Sequence, residues 1–183
     1  MNQTDLSKYD NSWYSPKSGI FSRALWYLVN VIFFRSPLLH SNTLKIGFLQ
    51  AFGARIGKEV VIKPAINIKY PWLLEIGNNS WIGENVWIDN LVKVKIGSNV
   101  CISQGAMLLT GNHDYSKVTF DLLLGEIELE DGVWIGAKAI VGPGVNCRSH
   151  AVLAVNSVAT SELEAYSIYQ GNPAIKQKDR NIE

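Results

Sequence analysis

The sequence is poor in cysteine and in charge. Its 183 residues contain two cysteines, Cys101 and Cys147, which lie far apart and outside any CxxC or Cys/His spacing. This usage excludes a disulfide scaffold and a cysteine-based zinc site, and it favours a reducing, cytoplasmic location. Charged residues make up only 18% of the chain and the net charge is +1, so there is no basic field to favour nucleic-acid binding.

A long apolar run and a recognisable targeting segment are also missing. The first 19 residues are polar and lack the basic-then-apolar order of a signal peptide. Residues 20–34 are apolar, but they include Arg23 and Asn30 and fall short of the ~20 residues that span a bilayer. We predict an amphipathic or buried helix that Ser36 and Pro37 end.

The partner of this apolar helix stays open at this point. Packing on the body of the protein or on a neighbouring subunit is the preferred interpretation. Weak contact of residues 20–34 with a membrane surface is the alternative, because Trp26, Tyr27, Phe33 and Phe34 suit an interface. That contact would place the protein peripherally at the inner face of the membrane. A second helix is predicted from Leu44 to Phe52, closed by Gly53.

A six-residue repeat dominates the chain from residue 54 to 160. Apolar anchors recur in runs at Ile56, Ile62, Ile68; Ile76, Ile82, Ile88; Ile96, Ile102, Leu108; and Leu129, Ile135, Val141, Cys147, Leu153, Ala159. Side chains alternate faces along a strand, so an anchor and the residue four places later both point inward. Glycine and asparagine between them tolerate the corners that short strands need. Three hexapeptides make a triangular coil, and stacked coils bury an apolar column.

The pattern predicts a mainly β chain built as a hexapeptide parallel β-helix, in three segments. Residues 1–53 form a polar arm and a helical segment, residues 54–160 the β-helix, and residues 161–183 a short C-terminal extension with a charged, solvent-facing tail. Trp81 and Trp87 share one outward position of the repeat, so we expect them to stack in neighbouring hexapeptides, as a sugar platform or as packing.

Breaks in the repeat mark places where the chain leaves the coil. The anchors Ile68 and Ile76 are eight residues apart, as are Ile88 and Ile96, which indicates two extra residues at a corner. The interval from Leu108 to Leu129 is not a multiple of six. A loop at about residues 111–126, which carries His113, is therefore predicted, and such loops on rigid scaffolds often carry function.

Four motifs resemble those of one known family. The IG-x4 hexapeptides, the GNHD loop, the VWIGAKAIVGPGV coil and the YQGNPA segment resemble the hexapeptide-repeat acyltransferases, in particular the branch assigned to colanic acid biosynthesis, which is similar to the maltose and galactoside O-acetyltransferases. The resemblance implies a left-handed β-helix and a homotrimer with active sites between subunits. It also implies acetyl-CoA as co-substrate, in a groove between two β-helices, and a sugar or polysaccharide precursor as acceptor.

His113 is the candidate catalytic base. Acyl transfer to a hydroxyl needs a base that works near neutral pH, and histidine titrates at about 6.5. We expect direct transfer without an acyl-enzyme. Candidate acceptor-binding residues are Asn85, Asp89, Asn112 and Asp114. The first two are open to a simpler interpretation as corner residues, and Asp114 either orients the imidazole or forms a turn.

The coil that contains VWIGAK is the candidate CoA site. Trp134, Gly136 and Ala137 lie in this motif, and Ala154 and Val155 continue the groove on the next coil. A backbone N–H in the motif is suited to polarise the thioester carbonyl. Lys176 is the lysine expected to pair with a CoA phosphate. Three scattered histidines predict no metal site.

Three functions compete at this level. An acetyl-CoA-dependent O-acetyltransferase acting on a sugar hydroxyl is the preferred interpretation. An N-acyltransferase on an amino sugar or amino acid would use the same fold and cofactor. A non-catalytic trimeric scaffold is the third, and the histidine in an out-of-register loop argues against it.

Overall fold

The repeat folds as three parallel sheets that form the sides of a left-handed triangular β-helix, as predicted. The computed structural model describes residues 3–183. Sheet A contains β1 (Arg55–Ile56), β4 (Leu74–Ile76), β7 (Val94–Ile96), β12 (Ile127–Leu129) and β15 (Asn146–Cys147). Sheet B contains β2 (Val61–Ile62), β5 (Trp81–Ile82), β8 (Cys101–Ile102), β13 (Trp134–Ile135), β16 (Val152–Leu153), β18 (Ser167–Gly171) and β19 (Ala174–Asp179). Sheet C contains β3 (Asn67–Ile68), β6 (Trp87–Asp89), β9 (Met107–Leu109), β14 (Ile140–Val141) and β17 (Val158–Ala159).

Successive strands lie on successive sheets, so each coil has three corners. We call the links from sheet B to sheet C the BC corner (63–66, 83–86, 103–106, 136–139, 154–157). The links from sheet C to sheet A form the CA corner (69–73, 90–93, 110–126, 142–145). Corner backbones of neighbouring coils nearly touch: a Cβ on Gly136 would lie 2.6 Å from the backbone nitrogen of Val155. Glycine is required there because any side chain would separate the coils.

The core is the column of inward-pointing anchors together with the residues four places after them. Both sets are buried in every complete coil, including Ile76, Ser80, Ile82, Val86, Ile102, Ala106, Leu129, Val133, Ile135 and Ala139. Val92 departs from this pattern and is only half-buried, because the chain takes extra residues at the CA corner and Val94 enters the core in its place. The anchor Ile56 of the first coil is also only partly buried, and the rest of the predicted core is buried.

Two helical segments precede the β-helix, close to their predicted positions. Helix α1 spans Ile20–Val29 and continues as a π-helical turn, Asn30–Phe34. Helix α2 spans Asn42–Ala51, two residues earlier than expected at its start, because the Ser41 side chain accepts a hydrogen bond from the Leu44 N–H and caps it there. Gly53, with φ of +92°, ends α2 as predicted.

These helices cover the open end of the first coil and satisfy its backbone. The Asn42 side chain donates to the Val60 carbonyl at 2.7 Å and accepts from the Ile62 N–H at 2.8 Å. Trp26 Nε1 donates to the Ile68 carbonyl at 2.9 Å, and the buried Lys45 ammonium donates to the Ile62 carbonyl. An uncovered strand edge would offer these groups to another chain. The N-terminal segment therefore acts as the cap of the solenoid.

The C-terminal extension is more ordered than expected. Strand β18 pairs in parallel with β16 and continues sheet B, and β19 returns antiparallel along β18. The charged tail, predicted as a short solvent-facing segment, therefore supplies most of an edge strand, although its side chains are exposed as expected. Charged residues on an edge strand discourage pairing with other chains.

The expected stacking of Trp81 on Trp87 is wrong. Trp81 points outward from sheet B, where its lateral neighbour is Cys101, and Trp87 points outward from sheet C beside Met107. Consecutive hexapeptides occupy different sides of the triangle. Outward positions therefore become neighbours only one full coil later.

Replacing Asn42 tests the cap. Asn42→Ala leaves a carbonyl and an N–H of the first coil without partners, so we expect the free energy of unfolding to fall by about 2 kcal/mol. Urea denaturation followed by circular dichroism measures the change. Thr43→Ala removes an exposed side chain one residue away and is the matched control. Equal stability of the two variants would contradict the capping role.

Candidate active site

The loop at the CA corner of the third coil is a β-hairpin. Strand β10 (Gly111–His113) pairs antiparallel with β11 (Leu122–Leu124), and His113 lies opposite Leu122. The Gly125 N–H donates to the Thr110 carbonyl at 2.9 Å and closes the base of the hairpin. This hairpin occupies residues 111–124, where the loop is predicted, and it holds His113 on a paired strand.

The imidazole of His113 has a defined orientation. Its Nδ1 lies 2.9 Å from the carbonyl oxygen of Phe120, and its ring stacks on the Phe120 ring with centroids 4.4 Å apart. The Tyr9 ring lies 5.6 Å away on another side. A carbonyl oxygen only accepts hydrogen bonds, so the neutral imidazole carries its proton on Nδ1 and presents the lone pair on Nε2.

The hairpin residues beside His113 take part in local turns. Asn112 accepts a hydrogen bond from the His113 N–H at 2.8 Å. The Asp114 carboxylate accepts from the backbone and hydroxyl of Ser116, and these bonds lower the pKa of Asp114. The Phe120 carbonyl, and not Asp114, orients the imidazole. Both side chains lie next to His113, which keeps them as candidates for contact with an acceptor.

Asn85 precedes strand β6, and Asp89 is its last residue. Asn85 is an exposed residue of the BC corner with φ of +58°, the conformation that such a corner needs. Asp89 lies at the end of β6 beside the CA corner, and its carboxylate is 2.9 Å from the Lys69 ammonium. The Asp89 carbonyl accepts from the Thr110 hydroxyl at 2.9 Å. Of the two, Asp89 therefore lies nearer the hairpin of His113.

The candidate CoA residues gather along the BC corner. Trp134 is 47% exposed and its Nε1 donates to the Ser103 hydroxyl of the coil before it, while Val155 is 63% exposed on the coil after it. The Gly136 N–H donates to the Leu153 carbonyl, as part of the ladder between coils. Among the described residues the Ala137 N–H has no such partner, so it is the amide of this motif that can donate to a ligand.

A groove runs along sheet B beside this corner. It has a volume of about 340 Å³ and is lined by Trp81, Gly83, Glu84, Cys101, Ser103 and Gln104. Ala154 and Val155 continue the same edge beyond Gly136 and Ala137. An extended ligand can lie here along several coils. Lys176 lies on β19, where Glu164 and Asp179 each contact its ammonium at 2.9 Å and raise its pKa.

The two candidate half-sites are separated within the chain. His113 lies at the CA corner, whereas Ala137 and Val155 lie at the BC corner and Trp134 lies on the strand that leads into it. One side of the triangle lies between them, on the order of 15–20 Å for a hexapeptide of nearly extended chain. Within residues 3–183, no group of three histidine, cysteine or acidic side chains is placed to hold a metal ion.

Three residues of the histidine site are absent from the sequence predictions. Phe120 acts through its carbonyl, Tyr9 comes from the N-terminal arm, and Thr110 is a buried residue at the hairpin base. A backbone acceptor has no signature in sequence. The contact of Tyr9 depends on the path of the arm, where the Asp5 N–H donates to the Val118 carbonyl.

Comparisons with known proteins agree with this architecture. No protein-family model matches the chain. An acetyltransferase of Escherichia coli assigned to colanic acid biosynthesis, WcaF, is 33% identical over 156 residues, which cover 85% of this chain and 86% of that protein. The galactoside O-acetyltransferase of Escherichia coli is 26% identical over 123 residues, or 66% of this chain and 61% of that protein.

A solved structure shows the same fold. A hexapeptide-repeat acetyltransferase of Vibrio cholerae in complex with acetyl coenzyme A superposes with a TM-score of 0.80 at 19% identity, over 88% of each chain. The likeness in fold thus extends beyond the repeat.

Proposed function

The chain belongs to the hexapeptide-repeat acetyltransferases, and on that premise we propose that it moves an acetyl group from acetyl-CoA to a hydroxyl of a sugar or polysaccharide precursor, with His113 as general base. The observation that carries the proposal is the hydrogen bond from His113 Nδ1 to the Phe120 carbonyl. It leaves Nε2 as the basic atom and aims it away from the hairpin.

The transfer is direct. Nε2 of His113 takes the proton of the acceptor hydroxyl as its oxygen attacks the thioester carbonyl. The carbonyl oxygen gains negative charge in the tetrahedral intermediate, and the Ala137 N–H is suited to stabilise it. The intermediate then expels the CoA thiolate, which takes the proton from the imidazolium. The acceptor leaves as its acetyl ester, and His113 returns to its neutral form.

A cysteine acyl-enzyme does not fit the surroundings of the two thiols. Burial raises the pKa of Cys147 to about 12 and also raises that of Cys101. Nucleophilic attack requires the thiolate, which is scarce at neutral pH when the pKa is raised. This supports direct transfer between the two bound substrates.

The separation of the two half-sites supports a homotrimer with sites between subunits. Reacting atoms must approach to about 3–3.5 Å, far less than one side of the triangle. The hairpin of one copy beside the BC corner of the next would complete a site. A closed ring of three triangular columns repeats the same contact three times.

The names of the relatives support a carbohydrate acceptor. The Escherichia coli relatives are named for colanic acid biosynthesis and for galactoside O-acetylation, and both names refer to carbohydrate. Asp89, Asn112, Asp114 and Asn85 are the polar side chains proposed to hold the sugar. Asn112 and Asp114 flank His113 directly, which makes them the nearest of the four to the transferred proton.

An apolar face of α1 supports peripheral contact with a membrane surface. Ile20, Phe21, Leu25, Leu28 and Ile32 point away from the β-helix, and Phe21 is 89% exposed. Residues 11–58 contain six lysines and arginines and no acidic residue, which suits an anionic surface. Of the helices within residues 3–183, none has the length and hydrophobicity needed to cross a bilayer.

Replacing His113 tests the catalytic role. We expect His113→Ala to slow CoA release from acetyl-CoA by ~100-fold or more, because general-base catalysis contributes on that scale. A thiol-reactive dye reports the released CoA, across a panel of sugars, sugar phosphates and amino sugars. His40→Ala, at an exposed histidine of the cap, is the control. Unchanged turnover in a folded His113→Ala would exclude this histidine as the base.

Co-expression of two inactive variants tests the shared site. Val155→Trp fills the BC corner from an exposed position, and His113→Ala removes the base. If each site combines two subunits, the co-expressed population should recover about a quarter of wild-type activity, because each half of the site is intact in half of the subunits. Sites contained within one chain would give a mixture as inactive as its parents.

Vesicle flotation tests the membrane contact. We expect the protein to float with vesicles that contain phosphatidylglycerol more than with pure phosphatidylcholine vesicles. The double change Phe21→Ser and Leu25→Ser should abolish flotation, while Ile182→Ser, at an exposed residue near the opposite end of the chain, should not. A wild type that stays with the unbound fraction in both lipids would refute the contact.

A further inference from the structure

A second pocket lies between the N-terminal cap and the outer face of sheet C. The hydrogen bonds from Trp26 to the Ile68 carbonyl and from Asn30 to Asn67 hold the helix against this sheet. The pocket has a volume of about 340 Å³, at the lower end of the roughly 300–1,000 Å³ of small-molecule sites. Its lining includes Arg23, Tyr27, Arg35, Lys69, Trp87 and Asp89. We call it the cap pocket.

The charge of the cap pocket favours an anion. Three cationic side chains line it, against one carboxylate, and that carboxylate is already paired with Lys69. Within residues 3–183, Arg23 and Arg35 have no carboxylate within ion-pair distance. Two guanidinium groups thus line one pocket, and each can donate paired N–H bonds to the oxygens of a phosphate group.

One of these arginines also has an unsatisfied donor. The Nε atom of Arg23 is buried and makes no hydrogen bond to any described residue. Leaving a buried charged donor unpaired is costly, and most buried polar atoms in folded proteins have a partner. An acceptor oxygen brought by a ligand would satisfy it.

Two aromatic side chains also line the pocket, one on each side of it. Trp87 is 39% exposed on the outer face of sheet C, and Tyr27 projects from α1 on the other side. Flat aromatic surfaces beside a few placed polar groups are typical of sites that bind small organic molecules. Aromatic rings and two guanidinium groups without carboxylate partners suit one class of ligand. That ligand is an anion with a flat, partly apolar face.

We propose that the cap pocket binds a phosphorylated sugar, with the phosphate on Arg23 and Arg35 and the sugar ring against Trp87. The pocket adjoins the histidine hairpin of the same chain, because the Asp89 carbonyl accepts from Thr110 and His113 follows three residues later, within roughly 10 Å along the chain. The idea that the pocket anchors the acetyl acceptor rests on the proposed function. The idea that it binds a phosphorylated sugar does not.

Isothermal titration calorimetry without acetyl-CoA tests the binding alone. The probes are α-D-glucose 1-phosphate, glucose and inorganic phosphate. We expect glucose 1-phosphate to bind at least ~10-fold more tightly than glucose, because charge-assisted hydrogen bonds to arginine distinguish them. Arg35 is exposed, so the fold should tolerate Arg35→Gln. This change should weaken the binding of glucose 1-phosphate by ~10-fold or more. Arg23→Gln should act in the same direction.

Two further variants separate the parts of the pocket. Trp87→Ala should weaken the binding of glucose 1-phosphate and leave the affinity for inorganic phosphate unchanged. Lys58→Gln removes an exposed positive charge outside the pocket and should change neither. Equal losses in Lys58→Gln and Arg35→Gln would mean unspecific attraction and would overturn the proposal. So would equal affinity for glucose and glucose 1-phosphate, or no binding heat in the wild type.

The result stands apart from the test of acetyl transfer. A wild type that binds glucose 1-phosphate but releases no CoA with any acceptor would retain the cap pocket and count against the proposed function. Turnover with neutral sugars alone, unaffected by Arg35→Gln and without phosphate binding, would retain the function and overturn the pocket.

Discussion

The hydrogen-bond ladder between successive coils constrains everything else in this molecule. Strands at equivalent positions pair in parallel with a fixed register, for example Leu74 with Val94 and Ile76 with Ile96. Every side of the triangle must therefore keep its length from coil to coil, and additional residues can enter only at corners. All of the insertions between the first four coils occur at the CA corner: two extra residues between Ile68 and Ile76, two between Ile88 and Ile96, and the hairpin at 110–126. The histidine hairpin, the N-terminal arm and one end of the cap pocket meet there for this reason.

The exposed backbone groups at the two ends of the solenoid are satisfied or protected in different ways. At the first coil, side-chain amides and an indole pair with the backbone, and Asn42 supplies both a donor and an acceptor as a peptide group would. At the last coil, β18 is paired with β19, whose exposed side chains are largely charged or polar. One end is closed by specific hydrogen bonds and the other by an edge strand unsuited to further pairing.

Sequence reasoning succeeded where structure repeats locally. The period of six predicts the strands, the inward anchors and the glycine and asparagine corners, and the broken period predicts the hairpin that carries His113. It failed where the outcome depends on the path of the chain in three dimensions. The expectation that Trp81 and Trp87 stack overlooked the turn of the coil between them. The hydrogen-bond acceptor for His113 Nδ1 is a backbone carbonyl. The arginines of the cap pocket lie near sheet C because the helix packs against it. Neither feature leaves a periodic signal in the sequence.

Asn42 forms its hydrogen bonds to the first coil with backbone atoms alone, and this has a consequence for how such chains can change in length. Hydrogen bonds to peptide groups do not depend on side-chain identity, so coils further along the column can be gained or lost without a change in these bonds. The height of the column would then vary among relatives in steps of one coil of about 18–20 residues, since each coil adds one strand to each sheet. The length of the β-helix and the chemistry of its site can therefore vary independently. The number of coils sets the distance between the hairpin and the cap, and the sequence of the corner sets the chemistry of the hairpin.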